Sequence, residues 1–449
     1  MRKKAGFKEE RPAKPANPQT NIASSELESS KQKGKTLMGS IDIGIEDILE
    51  SDDRFAQWIW DAKDLRAGIS GIKGYDIGVG KYLKIPLQLK VIDATIKALE
   101  ERRTTYWDYP GDLPLRISEK LKKENGIEAD PMSEILVVGG IGPGIQLVVM
   151  AFLNPGDEVL LIDPDFVTNR GYVKSRSADI VWVPLKERKG VIDETRWYFD
   201  PDVLESRISN KTKMFIFCNP NNPTGYVYSD SDLKAIAELA NKYDLLVFSN
   251  ECYERLDFSE RFAKTLQFRS LGALPDMKDR IITVQGVTKN YHMSGFRVGW
   301  LVANPKILEV LKFVHGWGAG CHAPSFSQWG ALAALTLPFR EDYTHEVLKN
   351  YKLNLDILCD ALKEVPLIEC PRSMVSQFTF ADVSAFGISD IELAQYLYER
   401  EVITVYGSPW GPTKGPGHLR FSLTNPVDYE RECVEKLVEA LTDYVKNNY

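Results

Sequence analysis

Spacing suited to a metal is missing from this chain. Its 449 residues include five histidines, none in an HxxxH or HxxEH arrangement, which leaves a zinc centre without a foundation. There is no CxxC pair either. The six cysteines (Cys218, Cys252, Cys321, Cys359, Cys370 and Cys433) are scattered and no secretory signal is visible, so they read as reduced thiols of a cytoplasmic enzyme. Positive charge is not in excess: 56 Lys and Arg face 63 Asp and Glu, a net charge of -7. With no basic patch interleaved with aromatics, nucleic-acid binding is not indicated. Long apolar runs are scarce. Ile135 to Leu153 comes nearest to a membrane span, but Gly139, Gly140, Gly142, Pro143 and Gly144 would break a helix in lipid. A strand, a glycine turn and a helix over 144–153 account for it better.

What is present is the composition of a soluble globular protein, 43% apolar and 27% charged, long enough for about two domains of roughly 150 residues each plus insertions. Residues 1–40 are rich in Lys, Pro, Ser, Gln and Glu and cannot bury enough surface to offset their ordering entropy, so they read as a disordered arm. Glu9, Glu10 and the lysine bias count against a transit peptide. Residues 41–65 look helical. The glycines from Gly74 to Gly80 form a turn that is either a connector or a loop a ligand can approach closely.

The chain is organised around residues 281–300. Ile281, Ile282, Thr283 and Val284 read as a buried strand that breaks into a polar turn carrying Lys289, and Arg297 comes next between Gly295 and Gly299. A partly desolvated amine condenses with an aldehyde, and an arginine grips a phosphate with paired hydrogen bonds. Together they suggest pyridoxal 5′-phosphate. A second phosphate signal lies upstream. The strand Ile135–Val138 runs into Gly139, Gly140 and Ile141 ahead of a helix, offering free backbone N–H groups and a positive dipole end.

Met293-Ser294-Gly295-Phe296-Arg297-Val298-Gly299 resembles, position for position, the segment after the lysine in fold-type I aminotransferases of the aspartate aminotransferase superfamily. Asn219-Pro220-Asn221-Asn222-Pro223-Thr224-Gly225 resembles another signature of that family, and the resemblance covers about residues 70 to 445 with the motifs in family order. It implies pyridoxal phosphate as cofactor and an α/β fold. A large domain with a mostly parallel sheet flanked by helices (95–334) is accompanied by a smaller α+β domain built from 41–94 and 335–449. It further implies transamination between an L-amino acid and a 2-oxo acid.

Residue by residue, the resemblance puts the cofactor on Lys289, next to Thr288. Its phosphate falls to Arg297 and to Gly139, Gly140 and Ile141. Phe166 stacks on the ring, unless it is a core aromatic. Asn222 and Tyr253 reach the phenolate oxygen, and Arg420 with Asn222 takes the substrate α-carboxylate. Tyr106 reaches the phosphate of a neighbouring subunit, making a homodimer with shared sites, unless it is a packing aromatic. Gly80 belongs to a loop over the substrate. Three positions depart from the pattern: Ile141 stands where relatives have a hydroxyl, Gly286 where many have a serine, and Asn250 where an aspartate normally pairs with the ring nitrogen.

An amide supplies no charge to keep that nitrogen protonated, so a weaker electron sink is expected. Neighbouring Glu251 points to the opposite face of the strand and cannot substitute. The same motifs would serve a lyase, decarboxylase or oxidase, and Asn250 also suits a non-catalytic cofactor-binding derivative. A cofactor-sensing transcription regulator would need an N-terminal winged-helix domain, for which the first 40 residues are too short.

Overall fold

The computed structural model describes residues 74–79, 87–106, 108–193, 196–259, 268–317, 322–337, 344–373 and 375–449, all within the contact unit 55–449. The arm at 1–40, the helix expected over 41–65, Gly80 and Cys321 lie outside the described residues. The first elements are β1 (Tyr75–Asp76), α1 (Leu89–Glu100), α2 (Leu113–Lys120), β2 (Ile135–Val138), α3 (Ile141–Phe152), β3 (Glu158–Asp163), α4 (Val167–Lys174) and β4 (Asp179–Pro184). Next come the short pair β5 (Lys186–Glu187) and β6 (Trp197–Tyr198), then α5 (Pro201–Ser206), β7 (Thr212–Cys218), α6 (Asp230–Lys242) and β8 (Leu246–Asn250). They are succeeded by β9 (Ile281–Gly286), α7 (Val287–Asn290), β10 (Gly299–Val302), α8 (Pro305–Gly316), α9 (Ser325–Leu335) and α10 (Thr344–Leu362). The chain closes with β11 (Phe378–Asp382), α11 (Asp390–Tyr398), β12 (Val402–Ile403), β13 (Val405–Tyr406), β14 (His418–Ser422) and α12 (Val427–Asn448).

Seven strands form one sheet in the order β2-β10-β9-β8-β7-β3-β4, parallel throughout except for β10, which runs against both neighbours. Near-continuous apolar sequence makes these strands because both sheet faces are covered. Alternation then sorts the side chains. Val159 and Leu161 pack with Met214 and Ile216 on one side, in a cluster that includes Ile145 and Val148 of α3. Leu160, Ile162, Phe215 and Phe217 pack on the other, with Leu233, Ile236 and Ala240 of α6. Helix α6 starts with a capping box in which Ser229 and Asp232 satisfy each other's backbone N–H.

A second, three-stranded sheet has the order β11-β14-β13. The N-terminal segment joins it from the other end of the chain: β1 pairs in parallel with β12, the Ser422 N–H donates to the Ile77 carbonyl, and Asn425 Nδ2 donates to the Asp76 carbonyl. The fold is the expected α/β arrangement, a mostly parallel sheet between helices beside a smaller α+β part fed by both ends of the chain.

Local boundaries differ from the sequence reading in three places. Tyr75–Asp76, read inside a glycine turn, is a strand because Val402 and Ile403 offer it an edge. Helix α3 begins at Ile141 rather than Gly144, since Gly142, Pro143 and Gly144 all fall in its first turns, where proline loses no hydrogen bond. Lys289 lies in the short helix α7 and not in an open turn.

Candidate active site

Strand β2 runs parallel in direction to β3, β7, β8 and β9, so the chain leaves all five at the same edge of the sheet. Ligands of open α/β sheets bind at that edge. Gly139 and Gly140 come after β2, Phe166 after β3, Asn222 after β7, Asn250 ends β8 with Tyr253 just beyond, and Thr288 and Lys289 come after β9.

The β2 and β9 ends make an anion cradle. Gly140 adopts φ 108°, a conformation L side chains avoid, and no side chain caps helix α3 behind it. A Cβ on Gly140 would lie 2.5 Å from Arg297 Nη2, so the guanidinium rests directly on the glycine. Arg297 itself has φ 55°, is exposed, and donates from Nη1 to the Ser294 carbonyl at 2.9 Å. Thr288 Oγ1 is buried there with no hydrogen-bond partner. The departure at Gly286 has a steric cause: a Cβ there would meet the Val298 carbonyl oxygen at 2.8 Å and Gly299 Cα at 2.9 Å, so the β9–β10 backbones leave no room for serine.

Across the edge, side chains join in a line. Asn222 Nδ2 donates to the Tyr253 hydroxyl at 3.1 Å, and Arg420 Nη1 donates to Asn222 Oδ1 at 3.3 Å. Arg420, on β14, is nearly buried, with Cζ 3.9 Å from the Phe378 ring centroid and 4.5 Å from that of Trp410. Its Nη2 donates to the Gly78 carbonyl at 3.4 Å. Two aromatic faces hold the fork flat, an arrangement suited to a planar carboxylate. Asn250 is fully buried, and its Oδ1 accepts the Cys252 N–H at 3.3 Å. Phe166 is half-buried at the start of α4. Tyr106 stands apart, 90% exposed.

Three features escaped the sequence reading. Behind the lysine loop, Lys120 of α2 is buried and its Nζ donates to Glu254 Oε1, to Asn125 Oδ1 at 2.8 Å and to Gln285 Oε1 at 2.7 Å. Glu254 also accepts from Asn290 Nδ2 at 3.0 Å, which ties the residue after Lys289 to α2. Beside it Glu251, pushed up to about 7 by burial, accepts from Ser249, Ser270 and Gln285. Lastly, His292 Nε2 lies 2.9 Å from the Tyr351 hydroxyl of α10, and burial, with the charge of Lys289, holds its pKa down to about 4. Spacing could not reveal the first two, because the partners are far apart in sequence. His292 looked like one more polar loop residue.

The described residues hold one cluster of metal-ligand type, Glu187, Asp382 and His418. Its carboxylates are already matched by Arg196, which donates to both, and by Lys189.

Comparison with known proteins gives the family. The family model for aminotransferase class I and II matches residues 74–441. The chain belongs to that family. A probable aspartate/prephenate aminotransferase of Aquifex aeolicus is 31% identical over 389 residues, 85% of this chain and 94% of the relative. The solved aromatic aminotransferase of Pyrococcus horikoshii superposes with a TM-score of 0.74 at 28% identity, covering 84% of this chain and 99% of that one. An alanine aminotransferase of Pyrococcus furiosus gives a TM-score of 0.75 at 26% identity, over 90% and 98% of the two chains. This class I/II aminotransferase is therefore an enzyme that moves an amino group between an amino acid and a 2-oxo acid, in a family whose cofactor is pyridoxal phosphate. Among its described residues no helix is long and apolar enough to cross a membrane.

Proposed function

We propose that this aminotransferase carries pyridoxal 5′-phosphate on Lys289 and works as a homodimer in the cytoplasm. The observation that carries the reading is the meeting, at one sheet edge, of Lys289, the Gly140–Arg297 cradle and the line Tyr253–Asn222–Arg420. The residues fit the group: the cradle offers helix amides, a guanidinium and the unpartnered Thr288 Oγ1 to a phosphate. When bound, the cofactor supplies a conjugated ring that takes up the negative charge left as the Cα proton departs.

The protein's own residues do the rest. Gly139, Gly140 and Ile141 would present backbone amides to the phosphate beside Arg297 and Thr288. Phe166 would cover the ring, Tyr253 and Asn222 would hold its phenolate oxygen, and Asn250 its nitrogen. Arg420, next to the Gly78 carbonyl, would grip the α-carboxylate. Lys289 would move the Cα proton as a general base. Its neighbours Asn290 and His292 are anchored to Glu254 and Tyr351, which keeps the amine at the ring rather than in solvent.

Tyr106 is exposed, as are Tyr109 and Leu89, Ile96 and Leu99 of α1, apolar side chains that a second copy would cover. We read residues 95–334 as the large domain and 335–449, with the N-terminal segment, as the small one. Free thiols at the five described cysteines support the cytoplasmic assignment. The relatives are named for aspartate or prephenate, aromatic amino acids and alanine. Lys289 and Arg420 act at the Cα and α-carboxylate that every such substrate carries, so side-chain preference resides elsewhere. Borohydride reduction and peptide mass analysis test the assignment: a reduced cofactor adduct is expected on Lys289, and an adduct elsewhere or none overturns it.

A further inference from the structure

We propose that Asn250 donates a hydrogen bond to the cofactor's ring nitrogen and so keeps the ring as a neutral pyridine. The proposal rests on the assignment of position 250 made above and goes beyond it, because the hydrogen bonds fix which end of the amide faces the ring. An amide can donate through nitrogen or accept through oxygen, and its neighbours decide which way it turns. Here Oδ1 is committed to the Cys252 N–H at 3.3 Å, within the loop leaving the same strand. Turning the amide over would set its NH2 against that N–H, donor facing donor. Nδ2 is thus the outward atom, and no described residue accepts its hydrogens. A ring nitrogen with a free lone pair completes it; a protonated one would press N–H against N–H.

Among the described residues, the carboxylates that follow Asn250 in sequence are already engaged. Glu251 is occupied by Ser249, Ser270 and Gln285, and Glu254 by Lys120, Asn125 and Asn290. Asp165 holds Asn169 through Oδ2 and lies just past β3, with β7 between it and β8. Its Oδ1 is buried without a partner, which makes it the one rival group.

The consequence for chemistry is direct. When Lys289 takes the Cα proton, the electron pair left behind spreads into the ring, and an uncharged ring accepts less of it. Less of the pair then reaches the cofactor carbon to which Lys289 must deliver the proton for transamination, so that transfer is slowed.

The test is the 15N chemical shift of the ring nitrogen in holoenzyme loaded with ring-labelled cofactor. Wild type should give the resonance of unprotonated pyridine around neutral pH. Asn250→Asp should move it toward pyridinium and raise the half-reaction rate with amino acid about tenfold, the change that one unit of pKa-scale charge pairing makes. A pyridinium resonance in wild type overturns the proposal, and its loss in Asp165→Asn would name Asp165 as the proton's keeper. An unchanged resonance in folded Asn250→Asp overturns it as well. Protein that retains no label on Lys289 refutes the cofactor assignment itself, and this inference falls with it.

Discussion

Replacing Gly140 with alanine tests the phosphate cradle at its tightest point. The new Cβ would lie 2.5 Å from Arg297 Nη2 and 3.0 Å from Cζ, so the guanidinium must leave its place. Alanine must also adopt φ 108°, a backbone cost of about 1–3 kcal/mol. The two effects separate by experiment because Gly156 provides a control: it too has positive φ (83°), but nothing lies within 4 Å of its would-be Cβ. Gly156→Ala should lower the melting temperature and leave cofactor affinity as it was. Gly140→Ala should do both, since hydrogen bonds to a charged group contribute about 1.5–3 kcal/mol each, or roughly 10- to 150-fold in Kd. Titrating apoenzyme with pyridoxal phosphate and recording tryptophan fluorescence measures it. Arg297→Ala should then add little on top of Gly140→Ala, because the first change has already removed the contact. Equal losses of affinity in the two glycine variants, or none in Gly140→Ala, would refute the cradle.

Three other outcomes are expected from the same geometry. Arg420→Lys keeps the charge but loses the planar fork between Phe378 and Trp410, so KM for every amino acid should rise about 10- to 100-fold in steady-state assays, with a smaller fall in kcat. Lys120→Met leaves Glu254 buried and unpaired, which should cost about 3–5 kcal/mol in denaturant unfolding, and adding Glu254→Gln should recover part of it. His292 has a folded pKa of about 4 against 6.5 for the free side chain, so the folded protein binds fewer protons between those values. Its contribution is whole above pH 6.5 and is lost as pH falls to 4. His292→Gln should flatten the fall in stability over that window by up to about 3 kcal/mol.

The strands and their end residues are readable in the sequence because the chemistry fixes both. A buried parallel strand needs an unbroken apolar run, as in Met214 to Phe217, and the residues after it must be polar, glycine or proline to turn at a ligand. Lys289 and Arg297 stand out for that reason, whereas Asn222, Tyr253 and Arg420 are marked by the family resemblance, and hydrogen bonds join those three in the structure. Helix α3 starts three residues before the position its sequence suggests, because a proline and two glycines hide a helix start when the rule applied is interior propensity. The Lys120–Glu254–Gln285 network cannot be read at all. Its bonds span 134 and 165 residues, and nothing in the local pattern of α2 distinguishes Lys120 from its solvated neighbours.

That hidden layer gives the site its rigidity. In front, Arg420 reaches from the three-stranded sheet to Asn222 and through it to Tyr253; behind, Lys120 binds the loop after β8 and the end of β9 to α2. The sheet that carries Arg420 is held in its own right. Arg196, fully buried, donates to Glu187, Glu369 and Asp382, and Asp382 faces His418 across the β11–β14 ladder. Burial alone would raise the pKa of Glu187, yet His418 and Arg196 hold it down to about 2, so the charges persist at neutral pH. Arg420 therefore sits on a strand fixed at one end by ions and at its own position by two aromatic rings. A fork held that firmly spends little entropy when a carboxylate arrives. By this argument the carboxylate end of the site is set before substrate binds.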